Sequence, residues 1–310
     1  MHITFRQLRL FRALADTGSV GAAARALHVS QPTASMQLRE ISQALGLPLY
    51  EVISRKVRLT EAGQELARTA RAIAGEWDDL AQRIEGLRGG TRGRLRVAVV
   101  STAKYFVPRW LGSFCASHPG IEISLEVLNR DGVVARLREW RDDLYIMSRP
   151  PQDLDLEDHV LMPNPLRLVA PAGHPLAGQG PLALDALAGQ PFILREPGSG
   201  TRLAVDAHFR QHGYVPLLRL ELGSNEAIRE AVAGGLGLSV LSHHALGRAL
   251  DDGSLAELPV TGFPIESVWH LVHPRGRRLP PSAAVFRDHV LQQAGQRSGP
   301  ADASVSPPPG

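Results

Sequence analysis

Residues 19–46 read as a short helix, a tight turn and a second helix that opens on polar side chains. Ala23, Ala24 and Leu27 share one helical face, and Phe5, Leu8, Leu10, Phe11 and Leu14 of a preceding helix are spaced to cover it. Ser30 suits an N-cap and Pro32 falls in the first turn, where a missing N–H is harmless, so the second helix starts there and runs to Gly46. Leu38, Ile41 and Leu45 give it a buried stripe. Its opposite face carries Gln31, Thr33, Ser35, Gln37 and Arg39 beside Pro32. Such short hydroxyls and amides reach base edges in a major groove while helix N–H groups meet phosphates. A generic helical hairpin with a solvated face shares this pattern, but two neighbouring features argue against it.

The first is a short basic hairpin. Leu49-Tyr50 and Leu59-Thr60 flank Ser54-Arg55-Lys56-Val57-Arg58, which reads as the wing of a winged helix, with Arg55, Lys56 and Arg58 its candidate contacts. The second is charge. Residues 1–60 hold eight Arg or Lys against Asp16, Glu40 and Glu51, a local charge of +5; the chain totals +3, so the other 250 residues sum to 3 − 5 = −2. The basic excess sits where counterion release from double-stranded promoter DNA requires it.

At 310 residues, 44% hydrophobic and 21% charged, the chain is expected to form more than one globular domain. Its single cysteine, Cys115, excludes an intrachain disulfide and is expected to be a small buried hydrophobe beside Phe114. There is no basic-then-apolar leader and no run of about 18 apolar residues, so the expectation is a cytoplasmic protein with no membrane partner.

From Glu61 the pattern becomes one long helix. Leu66, Ala70, Ile73, Trp77, Leu80, Ile84 and Leu87 alternate in steps of four and three, a continuous heptad seam. The seam either folds back on its own domain or pairs with the same helix of a second subunit. The homodimer is favoured, because a helix-turn-helix reads two-fold half-sites as a dimer. Gly89-Gly90-Thr91-Arg92-Gly93 then reads as a hinge.

Beyond the hinge, strands alternate with helices. Strands are expected at Leu95–Val100, Ile121–Leu128, Asp143–Met147, Leu166–Ala170, Phe192–Leu194, Leu217–Leu222, Leu236–Leu241 and Ser267–Val272. Helices are expected at 105–117, 131–140, from Thr201, from Asn225 and near 283–294. This is the alternation of doubly wound α/β lobes. The expected organisation is an all-α winged helix-turn-helix (1–63), a linker helix and hinge (64–90), lobe I (91–163 plus 267–295), lobe II (164–266) and a tail without ordered structure (296–310). Two lobes joined by crossover strands hold a ligand between them, at the carboxyl ends of strands. Candidate groups gather at those junctions: Ser101, Thr102 and Lys104; Ser148 and Arg149; Gly200, Thr201 and Arg202; and Asn225. Lys104, Arg149 and Arg202 are expected to supply charge to a phosphate- or carboxylate-bearing metabolite, although helix capping alone accounts for any one segment.

An enzyme is the rival from another class. His208 and His212 stand four apart on a helix and His243-His244 adjoin, but no carboxylate or thiolate cluster accompanies them, and histidines closing helices explain them better. Ser199, in Gly198-Ser199-Gly200, lacks the nucleophile-elbow pattern, and no Gly-Lys-Ser/Thr phosphate loop is present. No catalytic residue, metal ligand or resident cofactor is therefore assigned. A ligand-independent repressor or architectural DNA binder is a third reading.

Ala23-Ala24-x-x-Leu27-x-x-Ser30-Gln31-Pro32-x-x-Ser35, Leu45-Gly46 and Leu59-Thr60-x-Ala62-Gly63 together resemble the signature of the LysR-type transcriptional regulators. The resemblance implies a winged helix, a dimerising linker helix and a co-inducer domain similar to periplasmic binding proteins, commonly assembled as a homotetramer that engages RNA polymerase. Ser101–Phe106, Asp142–Pro151, Leu194–Arg202 and Gly223–Ile228 are similar to segments of the RuBisCO (Calvin cycle) operon regulators. That likeness implies an activator of a CO2-fixation operon, with sugar bisphosphates, phosphoenolpyruvate or NADPH as effectors. Regulation of an aromatic- or amino-acid-metabolism operon through a carboxylate co-inducer is the alternative left open. Tyr50 and Val52 stand where many relatives carry Phe and Arg, and Ser42 where the family usually has Glu. Base reading is therefore expected to rest on the helix from Gln31, with the wing held to phosphates.

Overall fold

The computed structural model describes residues 2–53, 56–87 and 93–297. Two compact units divide the chain, one built mainly from Met1–Gly90, the other from Thr91–Leu137 and Asp142–Gly310.

The first unit holds α1 (Phe5–Thr17), α2 (Val20–Ala26), α3 (Gln31–Leu45), β1 (Tyr50–Ile53), β2 (Lys56–Leu59) and α4 (Glu61–Leu87). Capping sets the helix ends. Thr4 and Gln7 form a reciprocal capping box at α1, Ser19 caps α2 and Ser30 caps α3, while Gly18 and Gly46 close α1 and α3 in the left-handed conformation. Leu10, Phe11, Leu14, Ala23, Ala24, Ala34, Leu38 and Ile41 then meet in one core, closed by Leu49 and Ala67. The β1–β2 hairpin pairs Val52 with Val57, and the Val57 N–H donates to the Gly18 carbonyl at 3.1 Å, fastening the wing to the end of α1.

Along α4 the small residues Ala67, Ala70 and Ala74 are buried, and Arg71, 8% exposed, reaches Asp16 of α1 through two bonds of 2.8 and 3.1 Å. The apolar seam beyond them faces outward. Ile73, Leu80 and Ile84 are each 40% exposed and Trp77 61%; the Phe5 ring lies 5.6 Å from that of Trp77 in a tilted arrangement.

In the second unit, lobe I is built on β3 (Gly93–Val100), β4 (Ile121–Leu128), β5 (Leu144–Met147), β6 (Leu156–Pro163) and β12 (Val268–Pro274), in the order β4-β3-β5-β12-β6. β3 runs parallel to β4 and β5; β12 is antiparallel to β5 and β6. A 3₁₀ turn (Ser101–Tyr105), α5 (Val107–Ser117), α6 (Arg130–Arg138) and α10 (Pro281–Arg297) complete the lobe around Trp110, Phe114, Tyr145, Trp269 and Phe286. Lobe II comprises β7 (Leu166–Pro171), β8 (Pro191–Arg195), α7 (Gly200–Gln211), β9 (Leu217–Leu222), α8 (Asn225–Ala233), β10 (Ser239–Ser242), α9 (His243–Leu246) and β11 (Leu255–Glu257). Its strands carry a core on each face: Phe192, Leu194, Val205 and Phe209 on the α7 side, Val169, Ile193, Ile228 and Val232 on the α8 side. The chain crosses between lobes twice, and the crossings pair with each other through reciprocal Leu166–Ile265 bonds of 2.9 Å.

Several local expectations are corrected. β6 was not anticipated: it is an edge strand whose charged and apolar residues mix, and Val160 is 62% exposed. β10 begins at Ser239 rather than Leu236, because Gly235 and Gly237 turn the chain with positive φ before it. Cys115 is exposed, since it lies one step around α5 from the buried Phe114. α10 continues through Arg297, two residues into the stretch assigned to the tail, and residues 298–310 lie outside the described residues. So do 89–92 of the expected hinge, whereas Gly93 opens β3.

Candidate DNA-reading surface and effector cleft

At the start of α3 the Ser30 hydroxyl accepts from the Thr33 N–H at 3.3 Å and lies 2.7 Å from the Thr33 hydroxyl. This fixes the turn from which the reading face projects. Gln31, Pro32 and Arg39 are exposed, and Thr33, Ser35 and Gln37 are half-buried. Gly21 leaves room for Gln31: a β-carbon there would lie 3.3 Å from the Gln31 Oε1. Lys56 and Arg58 are exposed on β2, and neither they nor Arg39 shares an ion pair with a described residue. Arg55 lies outside the described residues. The surface is thus a row of free donors and unpaired cations beside a helix N-terminus, the chemistry that meets phosphates and base edges.

In the second unit, strand-to-helix junctions of both lobes meet at the candidate effector cleft. Lobe I contributes Ser101 and Thr102 after β3, Ser148 after β5 and Asp131 at the start of α6; lobe II contributes the loop Arg195–Gly200 and the start of α8. These segments touch. The Arg195 Nη2 donates to the Ser101 Oγ at 3.1 Å and its Nη1 to the Asn225 Oδ1 at 2.8 Å, while the Asn225 Nδ2 donates to the Thr102 Oγ1 at 3.4 Å. The Asp131 N–H donates to the Gly198 carbonyl at 3.2 Å, and a β-carbon on Gly200 would lie 3.3 Å from the Ser148 Oγ. Thr102, Arg195, Ser199, Thr201 and Asn225 are all buried. Ser199 occupies the N-cap position of α7 without bonding its first turn through its side chain.

The expected cations behave differently from one another. Lys104 pairs with Glu226 at 3.0 Å, and the Tyr105 hydroxyl donates to the same carboxylate at 2.8 Å, so this cluster ties lobe I to lobe II. Burial opposes ionisation of Glu226, but hydrogen bonds from Lys104, its own backbone, Tyr105 and Ser224 outweigh it and hold the carboxyl at about 2. Burial and the Glu226 contact push Tyr105 up to about 12. Arg202 is engaged by Asp206 at 2.9 Å and Glu221 at 2.7 Å, and it also donates to the Arg195 carbonyl at 2.8 Å. Burial alone would lower its pKa, but the two carboxylates raise it. Arg149 is exposed, and its carbonyl accepts from the Arg130 Nε at 2.7 Å. The structure thus brings Ser101, Thr102 and Asn225 together, sets Ser148 against Gly200 and buries Thr201 beside it. It gives the buried positive charge to Arg195, which reasoning from charge near helix starts passed over in favour of Arg202. The available signal was the end of a buried strand, where an arginine must find partners.

The rings of His208 on α7 and His212 at its C-cap lie 4.4 Å apart and tilted, with the His212 Nδ1 at 2.8 Å from the His208 carbonyl; burial, then His212, lowers the His208 pKa. Among the described residues no three His, Cys, Asp or Glu gather as a metal cluster, and no helix is long and apolar enough to cross a membrane.

A winged helix with an exposed basic face, followed by a long helix and a two-lobed α/β unit whose lobes meet in a buried polar cluster, has the make-up of a ligand-responsive DNA-binding protein. Family models agree along nearly the whole chain: "Bacterial regulatory helix-turn-helix protein, lysR family" matches residues 5–64 and "LysR substrate binding domain" matches residues 88–295. The chain belongs to the LysR family of transcriptional regulators and is not an enzyme. It is 42% identical to the RuBisCO operon transcriptional regulator of Acidithiobacillus ferrooxidans, over 94% of each chain. The regulatory domain of Synechocystis CcmR, solved in complex with 2-PG, is 45% identical and superposes with a TM-score of 0.64 over 66% of this chain and 98% of that one. Full-length CbnR complexed with its target DNA is 26% identical, with a TM-score of 0.62 over 94% of this chain and 100% of that one.

Proposed function

We propose that this chain activates transcription of a CO2-fixation operon in response to a phosphorylated or otherwise anionic metabolite held between its two lobes. The observation that carries the reading is the cleft itself: hydroxyls, an amide and a buried guanidinium from both lobes converge in a chain whose first unit presents a DNA-reading helix. The 2-PG complex of the CcmR domain and the likeness to RuBisCO operon regulators support a phosphorylated effector, with NADPH or a sugar bisphosphate as further members of the class. The exposed seam of α4 supports a homodimer, and pairs of dimers would give the homotetramer that spans two half-sites. An effector alters the bound DNA only if it binds one arrangement of the lobes more tightly than another, and RNA polymerase then meets a different promoter geometry.

The test is footprinting and bending of a CO2-fixation promoter by the full chain, with and without 2-PG, sugar bisphosphates, phosphoenolpyruvate and NADPH. A shifted footprint or altered bend with at least one of them is expected. An unchanged footprint and bend across the panel, at concentrations shown to saturate the protein, would sink the reading.

A further inference from the structure

We propose that Arg195, acting through Asn225 and Ser101, sets the direction of the hydrogen bonds in the cleft so that the Ser101 and Thr102 hydroxyls present protons to the ligand. The subsite then selects a fully ionised oxyanion, which only accepts, over a group of the same shape that must also donate. This inference rests on the cleft being the effector site.

The Arg195 guanidinium donates and never accepts. Its Nη1 lies 2.8 Å from the Asn225 Oδ1, so the amide has one permissible orientation and must turn its Nδ2 toward Thr102, where it donates to the Oγ1 at 3.4 Å. Thr102 therefore receives a bond from outside the ligand space, and its own proton is left for what enters the cleft. Ser101 is set in the same sense, because its Oγ accepts from the Arg195 Nη2 at 3.1 Å. An oxygen that already accepts is polarised into a better donor, and the effect is greatest where water is excluded. Thr102, Arg195 and Asn225 are 5%, 3% and 2% exposed.

Glu196 completes the arrangement. It takes the Arg195 Nε and Nη2 at 2.7 and 2.9 Å, which compensates the buried charge and holds the guanidinium plane. Arg202 secures the Arg195 carbonyl at 2.8 Å. Arg195 is thus a positioning residue, its donors committed to the side chains that frame the ligand.

Sulfate and hydrogen phosphate separate this idea from simple charge attraction. At about pH 7.5 both are largely dianions of one shape, but phosphate keeps a proton that needs an acceptor. Isothermal titration of the full chain should show sulfate bound about tenfold more tightly, the worth of one satisfied hydrogen bond. In Asn225→Asp the new carboxylate accepts from both Arg195 and Thr102, so the Thr102 oxygen turns a lone pair inward and the preference should invert toward phosphate. The added repulsion acts on both dianions and cancels in the ratio. Thr102→Val should bring the ratio to about one by removing that hydroxyl, and it decides the matter if Asn225→Asp does not fold. A wild-type ratio near one, or a ratio unmoved in the variants, overturns the relay while the effector site stands. Binding of neither ion to the wild type overturns the effector reading, and the relay with it.

Discussion

Gly63 has no side chain because there is no space for one. A β-carbon there would lie 1.8 Å from the Leu49 carbonyl oxygen, at the point where the chain leaving the wing turns into α4 beneath Leu49. Gly63→Ala must push that backbone away, and destabilisation of about 1–3 kcal/mol is expected by denaturant titration of the DNA-binding unit. The cations of the wing act on another quantity. Arg58 is exposed and shares no ion pair with a described residue, so Arg58→Ala should leave the fold intact, weaken all DNA sequences alike and reduce the salt slope of binding by about one. A loss confined to one sequence would instead assign Arg58 to base reading.

At the scale of the element, α4 faces two ways. One side uses small residues and the Arg71–Asp16 bond to sit against α1; the other leaves Ile73, Trp77, Leu80 and Ile84 in solvent. A heptad seam left exposed among the described residues calls for a second helix. Leu80→Glu should convert the dimer to a monomer in sedimentation velocity without loss of helix by circular dichroism. A dimer that survives this change places the contact elsewhere. The helix itself was legible because its seven apolar positions repeat locally. β6 was not, since an edge strand buries little and its alternation is interrupted by charge, so its identity depends on pairing with β12, more than a hundred residues away in sequence.

For the molecule as a whole, one carboxylate ties the two lobes together. Glu226 on α8 takes Lys104 and Tyr105 from lobe I, and its carboxyl is held at about 2 against an ordinary 4.5. A depressed carboxyl pKa contributes stability that is complete above the unfolded value and is lost as pH falls toward the folded one. Thermal melts of wild type and Glu226→Gln should therefore differ most near neutral pH and converge as pH falls from about 4.5 toward about 2. A gap that stays constant with pH would show that the glutamate serves through packing alone.

Read by itself, the sequence determined the order of the units, the helix-turn-helix with its caps and the heptad seam, because these depend on neighbours within a few residues. It also put the candidate ligand hydroxyls at the ends of strands, where the lobe architecture places them. Only the tertiary structure decided how the charges near those junctions are paired. Lys104 and Arg202 are occupied by carboxylates contributed from β9, α7 and α8, and the burial of Arg195 follows from Ser101 and Asn225 arriving from opposite lobes. Partners that far apart in the chain leave no local periodicity, and the cost of burying an unpaired charge shows itself only when the fold has brought them together.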